Sequence, residues 1–259
     1  GLIRKFYQFF GLHGIDGSKI ASVRFLPRYV FELIKWTIKV GGLPNIFPVL
    51  TGYSSQAGQF DTQYFLQDLV VAQKIFELTN VLEGDHLDVG SRVDGFVAHV
   101  ASFRSLSVLD VRGLDQLRIG NIRFVKKDLL EYQPKQLFGS ISCLHVVEHI
   151  GLGRYGDQLE VDGWKKAVKR LDDLLAPNGM LFLSVPIASK SKVFFNAHRV
   201  FQPQEFLREV VARGTLEVIE VDVIDDQGSI HFDVSSAEDM AIIQHLSYGC
   251  MLVTAKKIR

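Results

Sequence analysis

The chain has 259 residues, of which 47% are hydrophobic, and its formal net charge at pH 7 is zero. This length suffices for one large domain with an extended core, or for one domain with a small appendage. A neutral balance excludes the global positive field that favours nucleic acid, so we expect no nucleic acid partner.

Residues 1–60 are predicted to form a basic, aromatic N-terminal extension and a linker. The first 42 residues hold seven basic and two acidic residues, and "SVRFLPRYVFELIKWTIKV" mixes apolar and basic residues at helical spacing. A stretch rich in Gly and Pro follows and indicates a loop. Two roles remain open for the extension: contact with an anionic membrane surface, and packing on the sheet as a cap.

The cysteines and the hydropathy pattern bear on localisation. Cys143 and Cys250 lie inside apolar runs, and we interpret both as reduced core residues of a cytoplasmic protein. No run of about 18 apolar residues occurs, so no transmembrane helix is expected. We therefore expect a cytoplasmic location, with peripheral contact at the inner membrane face as the alternative.

Residues 61–259 are predicted to form one α/β domain. A helix is expected over about 61–80, and further helices at about 94–103, 164–175 and 203–212. Between them lie short apolar runs: "DHLDVG", "LSVLDVR", "IRFVKKD", "SISCLHV", "MLFLSVP", "TLEVIEVDVI" and "CMLVTAKK". This alternation predicts a doubly wound, mostly parallel, seven-stranded Rossmann-like sheet with a hairpin at one edge and an N-terminal helical extension.

Acidic residues and glycines follow the first three predicted strands, at the sheet edge where such folds bind ligands. Gly90 and Gly95 allow close turns, but their spacing is not G-x-G-x-x-G, so the dinucleotide fingerprint is absent. Asp110 lies 22 residues after Asp88 and can accept hydrogen bonds from both ribose hydroxyls. Asp128 follows the third strand, where an adenine amino group would lie.

These acids occupy the places used by class I S-adenosylmethionine methyltransferases. The stretches "DVGSRVDGFVAH", "SCLHVVEHIGLGRYGD", "LSVPI" and "FNAHRVF" together resemble the DUF268 family, a group of predicted methyltransferases, over roughly residues 53–235. The resemblance implies S-adenosylmethionine as the cofactor. The residues expected to bind it are Asp88, Gly90, Ser91, Asp110, Val111, Asp128, Leu129 and His145.

The stretch "HVVEH" carries the candidate chemistry. If a helical turn follows the fourth strand, His145, Glu148 and His149 share one face. The spacing H-x-x-E-H matches the inverzincin pattern of metal hydrolases, although that pattern belongs on a long helix. A closer parallel is the Glu-x-x-Glu-His motif of some metal-dependent O-methyltransferases, from which this sequence departs by having His145 in place of the first Glu.

His198, in the loop after the fifth strand, is expected to complete this site. Three imidazoles and one carboxylate favour zinc, iron, manganese or cobalt over magnesium, and a divalent metal lowers the pKa of a bound hydroxyl. Three interpretations remain open. The four residues hold a metal ion, or one histidine is a general base without metal, or the histidines are structural.

Four polar residues are candidates for acceptor binding: Arg154, Tyr155, Asp157 and Arg199. Either arginine can bind phosphate or carboxylate through two hydrogen bonds, and either can equally pair with Asp157. The predicted function is a metal-assisted, S-adenosylmethionine-dependent O-methyltransferase acting on a small-molecule, sugar or glycan-type hydroxyl. The alternatives are a metal-dependent hydrolase and a non-catalytic module that binds the cofactor.

Overall fold

The apolar runs of the second half of the chain form the strands of one large sheet. The computed structural model describes residues 17–54, 62–93, 95–114, 120–234, 243 and 245–258. Its strands are β1 (His86–Val89), β2 (Leu106–Asp110), β3 (Ile122–Lys126), β4 (Phe138–Leu144), β5 (Leu175–Ile187), β6 (Lys192–Phe194), β7 (His198–Val200), β8 (Leu216–Ile224), β9 (Ile230–His231) and β10 (Gly249–Lys257). Strands β6 and β7 form a separate antiparallel pair.

The order of the main sheet is β3-β2-β1-β4-β5-β10-β8-β9. The first five strands pair in parallel, whereas β10 runs antiparallel to both β5 and β8. The predicted doubly wound, Rossmann-like sheet is therefore confirmed. It has one strand more than expected, because the two-residue β9 pairs with β8 at the edge.

The described helices are α1 (Gly17–Ser22), α2 (Leu26–Val40), α3 (Thr62–Leu78), α4 (Phe96–Ala101), α5 (Gly163–Leu174) and α6 (Pro203–Val210). Local sequence explains where α6 begins. The Gln202 side chain accepts a hydrogen bond from the Glu205 amide (2.9 Å), and Pro203 occupies the first turn, where no amide hydrogen is needed.

Helices cover both faces of the sheet. On one face, Val71 and Ile75 of α3 and Val97 of α4 pack against buried strand residues such as Val108. On the other, residues of α5 and α6 pack in a second cluster that includes Leu171. Each fully buried side chain of this size contributes about 1.5–3 kcal/mol, so the two layers fix the strand ends that carry the polar residues.

The chain divides into two units, Gly1–Phe60 and Asp61–Arg259. The sheet and helices α3–α6 belong to the second unit, and α1 and α2 belong to the first, together with two short 3₁₀ helices, Val23–Phe25 and Thr51–Ser54. None of the described helices is both long and apolar enough to cross a membrane.

Candidate active site at the carboxyl ends of the strands

A cleft opens at the carboxyl ends of β1 and β4, the neighbouring strands at which the strand order reverses, and this is the point of a doubly wound sheet at which ligands bind. The cleft is open to solvent and has a cavity volume of about 90 Å³. Its lining residues are Val89, Gly90, Leu109, Asp110, Val111, Arg112, Lys127, Asp128, Leu129, His145, Val146, His149, Ile150, Tyr155 and Asp157. Predicted cofactor residues and predicted catalytic residues thus share one cleft.

Gly90 shapes the turn after β1. Its φ angle is +76°, and its amide donates to the Leu109 carbonyl at 2.8 Å. A Cβ at this position would lie 2.7 Å from Val146 Cγ2, so a side chain is excluded by space as well as by backbone conformation. The bare backbone of this turn forms part of the cleft wall, as the sequence predicted for a nucleotide-binding turn.

Asp88 and Ser91 flank this turn and do not line the cleft, although Ser91 lines a neighbouring pocket with Asp110 and Arg112. The Asp88 carboxylate is fully buried and accepts hydrogen bonds from Ser142 Oγ (2.7 Å), Ser91 Oγ (2.9 Å) and the Ser91 amide (3.3 Å). Burial raises the pKa of Asp88 to about 7, although these donors act in the opposite direction. These hydrogen bonds hold the turn, and the expected direct cofactor contact of Asp88 and Ser91 stays a prediction.

His86 supports the same turn from below and was not anticipated from the sequence. Its Nδ1 lies 2.8 Å from Ser140 Oγ and its Nε2 lies 3.0 Å from Ser142 Oγ. Because Ser142 donates to Asp88, its oxygen accepts from the Nε2–H of a neutral imidazole. Burial lowers the pKa of His86 to about 3, which keeps the ring neutral. A polar residue inside the buried strand "HLDV" was the available signal.

Asp110 lines the cleft as predicted, but its carboxylate is already paired. Arg112 Nη2 lies 2.5 Å from Asp110 Oδ2, and Arg112 Nε lies 2.9 Å from Oδ1. The same guanidinium donates to the Gly90 carbonyl (3.3 Å) and lies 5.1 Å from the Tyr155 ring centroid. A ribose that binds Asp110 must share the carboxylate with Arg112 or displace the Arg112 side chain. The sequence analysis did not anticipate this pair.

The third predicted cofactor contact is the turn after β3. Asp128 Oδ1 accepts from the Leu130 amide at 2.8 Å, which fixes the turn and leaves the other oxygen free of this bond. Leu129 is buried and Val111 is 36% exposed, so an apolar surface of the cleft lies between Asp110 and Asp128. These positions are compatible with an adenine ring, and its binding there stays a prediction.

His145 and Glu148 form a buried pair at the end of β4. His145 Nδ1 lies 2.8 Å from Glu148 Oε1, and the two side chains are 4% and 1% exposed. His145 has a φ of +52°, a conformation that costs about 1–3 kcal/mol and that clusters at functional sites. Within the described residues, His145 Nε2 and Glu148 Oε2 are buried without a hydrogen-bond partner.

The charge of His145 follows from its neighbours. Burial by itself would lower the pKa of His145, but Cys250 and the Glu148 carboxylate raise it well above its usual value. The Cys250 thiol also makes a hydrogen bond to Gln67 Oε1 (3.8 Å). The Tyr64 ring lies 4.9 Å from the His145 ring.

The pKa of His149 shifts in the opposite direction to that of His145. Its Nδ1 lies 2.6 Å from the Ala197 carbonyl, which can only accept, so Nδ1 carries the hydrogen. Burial lowers the pKa of His149, and Arg154 and His145 add to this, which outweighs the opposing effect of Glu148. Its Nε2 therefore holds a lone pair, 3.8 Å from Glu148 Oε1.

His198 lies in the β6–β7 hairpin rather than in an irregular loop. Its ring packs 5.1 Å from Phe194 and lies 6.4 Å from His149, edge to face. Across the residues that the structure describes, no group of three His, Cys, Asp or Glu side chains is arranged to hold a metal ion. The predicted metal site of His145, Glu148, His149 and His198 is thus unsupported.

Arg199 is buried and its guanidinium contacts backbone carbonyls, so its predicted role in acceptor binding stays a prediction. The side chain is 6% exposed and donates to the carbonyls of Glu148 (3.3 Å), Ile150 (2.8 Å) and Val161 (3.1 Å). A guanidinium used in this way holds the turn after β4 against β7. The sequence offered no sign of these carbonyl partners.

The glycine-rich loop after "HVVEH" is organised by Asp157. Its carboxylate accepts from the amides of Gly151 (2.8 Å), Gly153 (3.2 Å) and Tyr155 (3.2 Å), so Asp157 lines the cleft mainly as a loop residue. Arg154 donates to the Ala197 carbonyl at 3.0 Å. Its guanidinium lies 5.2 Å from the Tyr155 ring, which is 43% exposed at the cleft mouth.

A family model described as "Caenorhabditis protein of unknown function, DUF268" matches residues 110–237. The resemblance to DUF268 is confirmed. The matched region runs from the end of β2 to just beyond β9 and contains both "HVVEH" and "FNAHRVF". No curated protein matches the chain.

Solved structures share the fold of this DUF268-like chain. The N-methyltransferase NodS from Bradyrhizobium japonicum WM9, in complex with S-adenosylhomocysteine, is 15% identical over 77% of this chain and 90% of its own, with a TM-score of 0.52. The 1,6-didemethyltoxoflavin-N1-methyltransferase of Burkholderia thailandensis, with bound 1,6-didemethyltoxoflavin and S-adenosylhomocysteine, is 16% identical over 74% and 79%, with a TM-score of 0.53. The [4+2]-cyclase SpnF is 16% identical over 73% and 80%, with a TM-score of 0.50. At these identities the likeness shows the fold alone.

Proposed function

We propose that this chain is an S-adenosylmethionine-dependent methyltransferase that acts on a sugar-type hydroxyl, with His149 as the general base. The observation that carries the proposal is that one cleft joins the Gly90 turn and Asp110 to His149. Two structures of this fold hold S-adenosylhomocysteine, which supports the cofactor class. Because a [4+2]-cyclase also has this fold, the fold alone does not identify the reaction, and the proposal has to rest on the side chains.

The cofactor would lie along the ends of β1, β2 and β3. S-adenosylmethionine supplies a methyl group on a positively charged sulfur, which an oxygen nucleophile can accept. The Gly90 turn fits such a ligand because its missing side chain leaves backbone at the cleft wall. Asp110 and Asp128 would hold the ribose and adenine, with Val111 and Leu129 against the ring.

The acceptor proton would pass to His149 Nε2. This nitrogen has a lone pair because Ala197 fixes the hydrogen on Nδ1, and the lowered pKa keeps the ring neutral. Glu148 Oε1, 3.8 Å away, would stabilise the imidazolium that forms. A general base of this kind contributes about 10²–10⁴-fold to a rate.

A hydroxyl acceptor also matches the two unpartnered atoms of the buried pair. His145 Nε2 and Glu148 Oε2 are both buried without a hydrogen-bond partner among the described residues. A hydroxyl both donates and accepts hydrogen bonds, so one such group can satisfy either atom. A buried polar atom that lacks a hydrogen bond costs about 1–3 kcal/mol. At the cleft mouth, the guanidinium groups of Arg112 and Arg154 flank the Tyr155 ring. This polar rim supports a sugar or glycan-type acceptor over an apolar one.

The test has two stages. Calorimetric titration of the purified chain with S-adenosylhomocysteine should show binding, and a panel of sugars and nucleotide sugars should then be screened with a radiolabelled methyl donor. Absence of binding would refute the methyltransferase. Binding of the donor product with no label transferred to any hydroxyl, but transfer to an amine panel, would refute the hydroxyl acceptor. Hydrolase activity that needs added zinc would favour the metal hydrolase instead.

A further inference from the structure

The helix α2 exposes an apolar surface that no other described helix matches. None of its fifteen residues is buried. Its large apolar side chains are well exposed: Phe31 58%, Ile34 52%, Trp36 56%, Ile38 77% and Val40 61%. A contiguous exposed apolar patch of this kind marks an interaction site.

The charged residues of α2 lie on one narrow stripe. Arg28, Glu32, Lys35 and Lys39 follow one another at spacings of four, three and four, which places them on a single side of an α-helix. The remainder of the helix is apolar or aromatic apart from Thr37. A wide apolar face opposite a narrow charged one is the pattern of a helix that lies in a membrane interface.

The stripe is cationic because its one acid is already neutralised. Glu32 Oε1 lies 2.8 Å from Arg28 Nε, and Glu32 Oε2 accepts from the Tyr53 hydroxyl at 2.6 Å. The charges left to act outward are those of Lys35 and Lys39, with Arg24 one turn before the helix. Residues 17–54 hold five basic residues and one acidic residue in all. The surface that complements them is anionic.

Aromatic residues border the stripe on both sides. At about 100° per residue, Trp36 and Tyr29 lie at one edge of the charged stripe and Phe31 lies at the other. Trp and Tyr prefer the headgroup level of a bilayer, where the ring is in apolar surroundings and the polar atom meets water. Four further exposed apolar residues follow the helix: Leu43, Ile46, Phe47 and Val49.

We propose that α2 docks this protein on an anionic lipid bilayer, lying in the plane of the interface. The helix is about 22 Å long at 1.5 Å per residue, which is shorter than the hydrocarbon core of about 30 Å, so it lies on the membrane rather than across it. The proposal is independent of the methyltransferase assignment, because it rests on residues 17–54 alone.

The binding test uses the full chain and vesicles floated on a density gradient. Vesicles of phosphatidylcholine containing a minority of phosphatidylglycerol should carry most of the protein, and vesicles of phosphatidylcholine alone should carry several-fold less. High salt should release it, because screening weakens contacts with exposed charges. In a Trp164→Phe chain, where Trp36 is the remaining tryptophan, emission should shift to shorter wavelength on binding.

Matched variants distinguish binding through α2 from nonspecific binding of the protein to vesicles. Ile34→Asp with Ile38→Asp should abolish flotation, whereas Ile219→Asp, at a residue of the sheet domain that is 51% exposed, should leave it unchanged. Lys35→Glu with Lys39→Glu should reduce flotation on anionic vesicles, and Lys135→Glu with Lys169→Glu should not.

Two results would overturn the proposal. The first is equal recovery of wild type and Ile34→Asp/Ile38→Asp with the vesicles. The second is a wild-type chain that fails to float but forms a dimer by light scattering, and that the same double substitution makes monomeric. That outcome would assign α2 to a contact between two copies of the chain.

Discussion

The two sides of the cleft differ in how completely the protein satisfies its own polar groups. On the cofactor side, Asp88 accepts three hydrogen bonds and His86 engages both ring nitrogens, although both residues are fully buried. On the acceptor side, His145 Nε2 and Glu148 Oε2 are buried without partners in the described chain. Buried polar atoms are nearly always paired, so the first group is satisfied within the protein and the second is an exception.

The largest expected effect tests the acceptor side. His149→Ala removes the lone pair at Nε2, and methyl transfer should fall about 10²–10⁴-fold, the usual contribution of a general base. Single-turnover transfer of labelled methyl groups measures this, once an acceptor is found. Affinity for S-adenosylhomocysteine should change little, since the polar contacts of the ring are with Ala197, Arg154 and Glu148 and not with Asp110 or Asp128.

His231→Ala is the matched control, because His231 lies on the edge strand β9 and pairs with Asp225. It should transfer methyl groups at the wild-type rate. A fully active His149→Ala would remove the general base and return His149 to a structural role.

The next effect tests the completeness of the cofactor side through pH. The pKa of Asp88 is about 7 in the folded chain and 3.8 as the reference for an exposed carboxyl, so between these values the folded state holds a proton that the unfolded state has lost. Stability from this group is therefore greatest below about pH 4 and falls as pH rises to 7, by about 1.4 kcal/mol per pH unit.

Asp88→Asn keeps a neutral side chain at every pH and removes that slope. Its free energy of unfolding relative to wild type should therefore rise with pH between about 4 and 7. Urea denaturation of both proteins across this range gives the difference in free energy of unfolding. His86 contributes a pH dependence of opposite sign, but it is present in both proteins and cancels in the difference. A difference that does not vary with pH would mean that Asp88 is ionised in the folded state.

Gly90→Ala perturbs the turn that both sides share. The φ of +76° and the 2.7 Å approach to Val146 should together cost about 1–3 kcal/mol of stability. S-adenosylhomocysteine affinity should fall as well, because the turn would move out of the cleft wall. Gly42→Ala is the control, since no atom lies within 4 Å of an added Cβ there and its φ is ordinary. Equal melting temperatures for the two variants would contradict the strain at Gly90.

The sequence predicted the sheet well because buried parallel strands are continuous apolar runs, which "SISCLHV" and "MLFLSVP" display. It missed β9, which has two residues, and the β6–β7 hairpin, whose strands have three residues each. Asp110 and Gly90 were located in the cleft because strand ends converge at one edge.

The chemistry of the site was harder to predict because it depends on distant backbone atoms. The spacing H-x-x-E-H correctly places His145 beside Glu148, but the orientation of His149 is set by the Ala197 carbonyl, 48 positions away. The partners of Arg199 were unpredictable for the same reason, since its three carbonyl partners come from the turn after β4 and from residue 161. Charge and residue type reveal what a side chain can do, and tertiary packing decides whether it is already occupied.

The smallest expected effect concerns Asp110, whose partner Arg112 can be displaced by a ligand. Arg112 is 47% exposed and pairs with Asp110, so the pair contributes only about 0–1 kcal/mol. If ribose and Arg112 compete for the carboxylate, Arg112→Ala should tighten S-adenosylhomocysteine binding by up to about fivefold. Wild-type affinity should also improve modestly with added salt, which screens the pair, and the affinity of Arg112→Ala should lack that improvement. Calorimetric titration of both proteins at low and high salt measures the two effects. Weaker binding by Arg112→Ala would instead show that the guanidinium contacts the ligand. The polar groups on the proposed cofactor side would then also need the ligand as a partner.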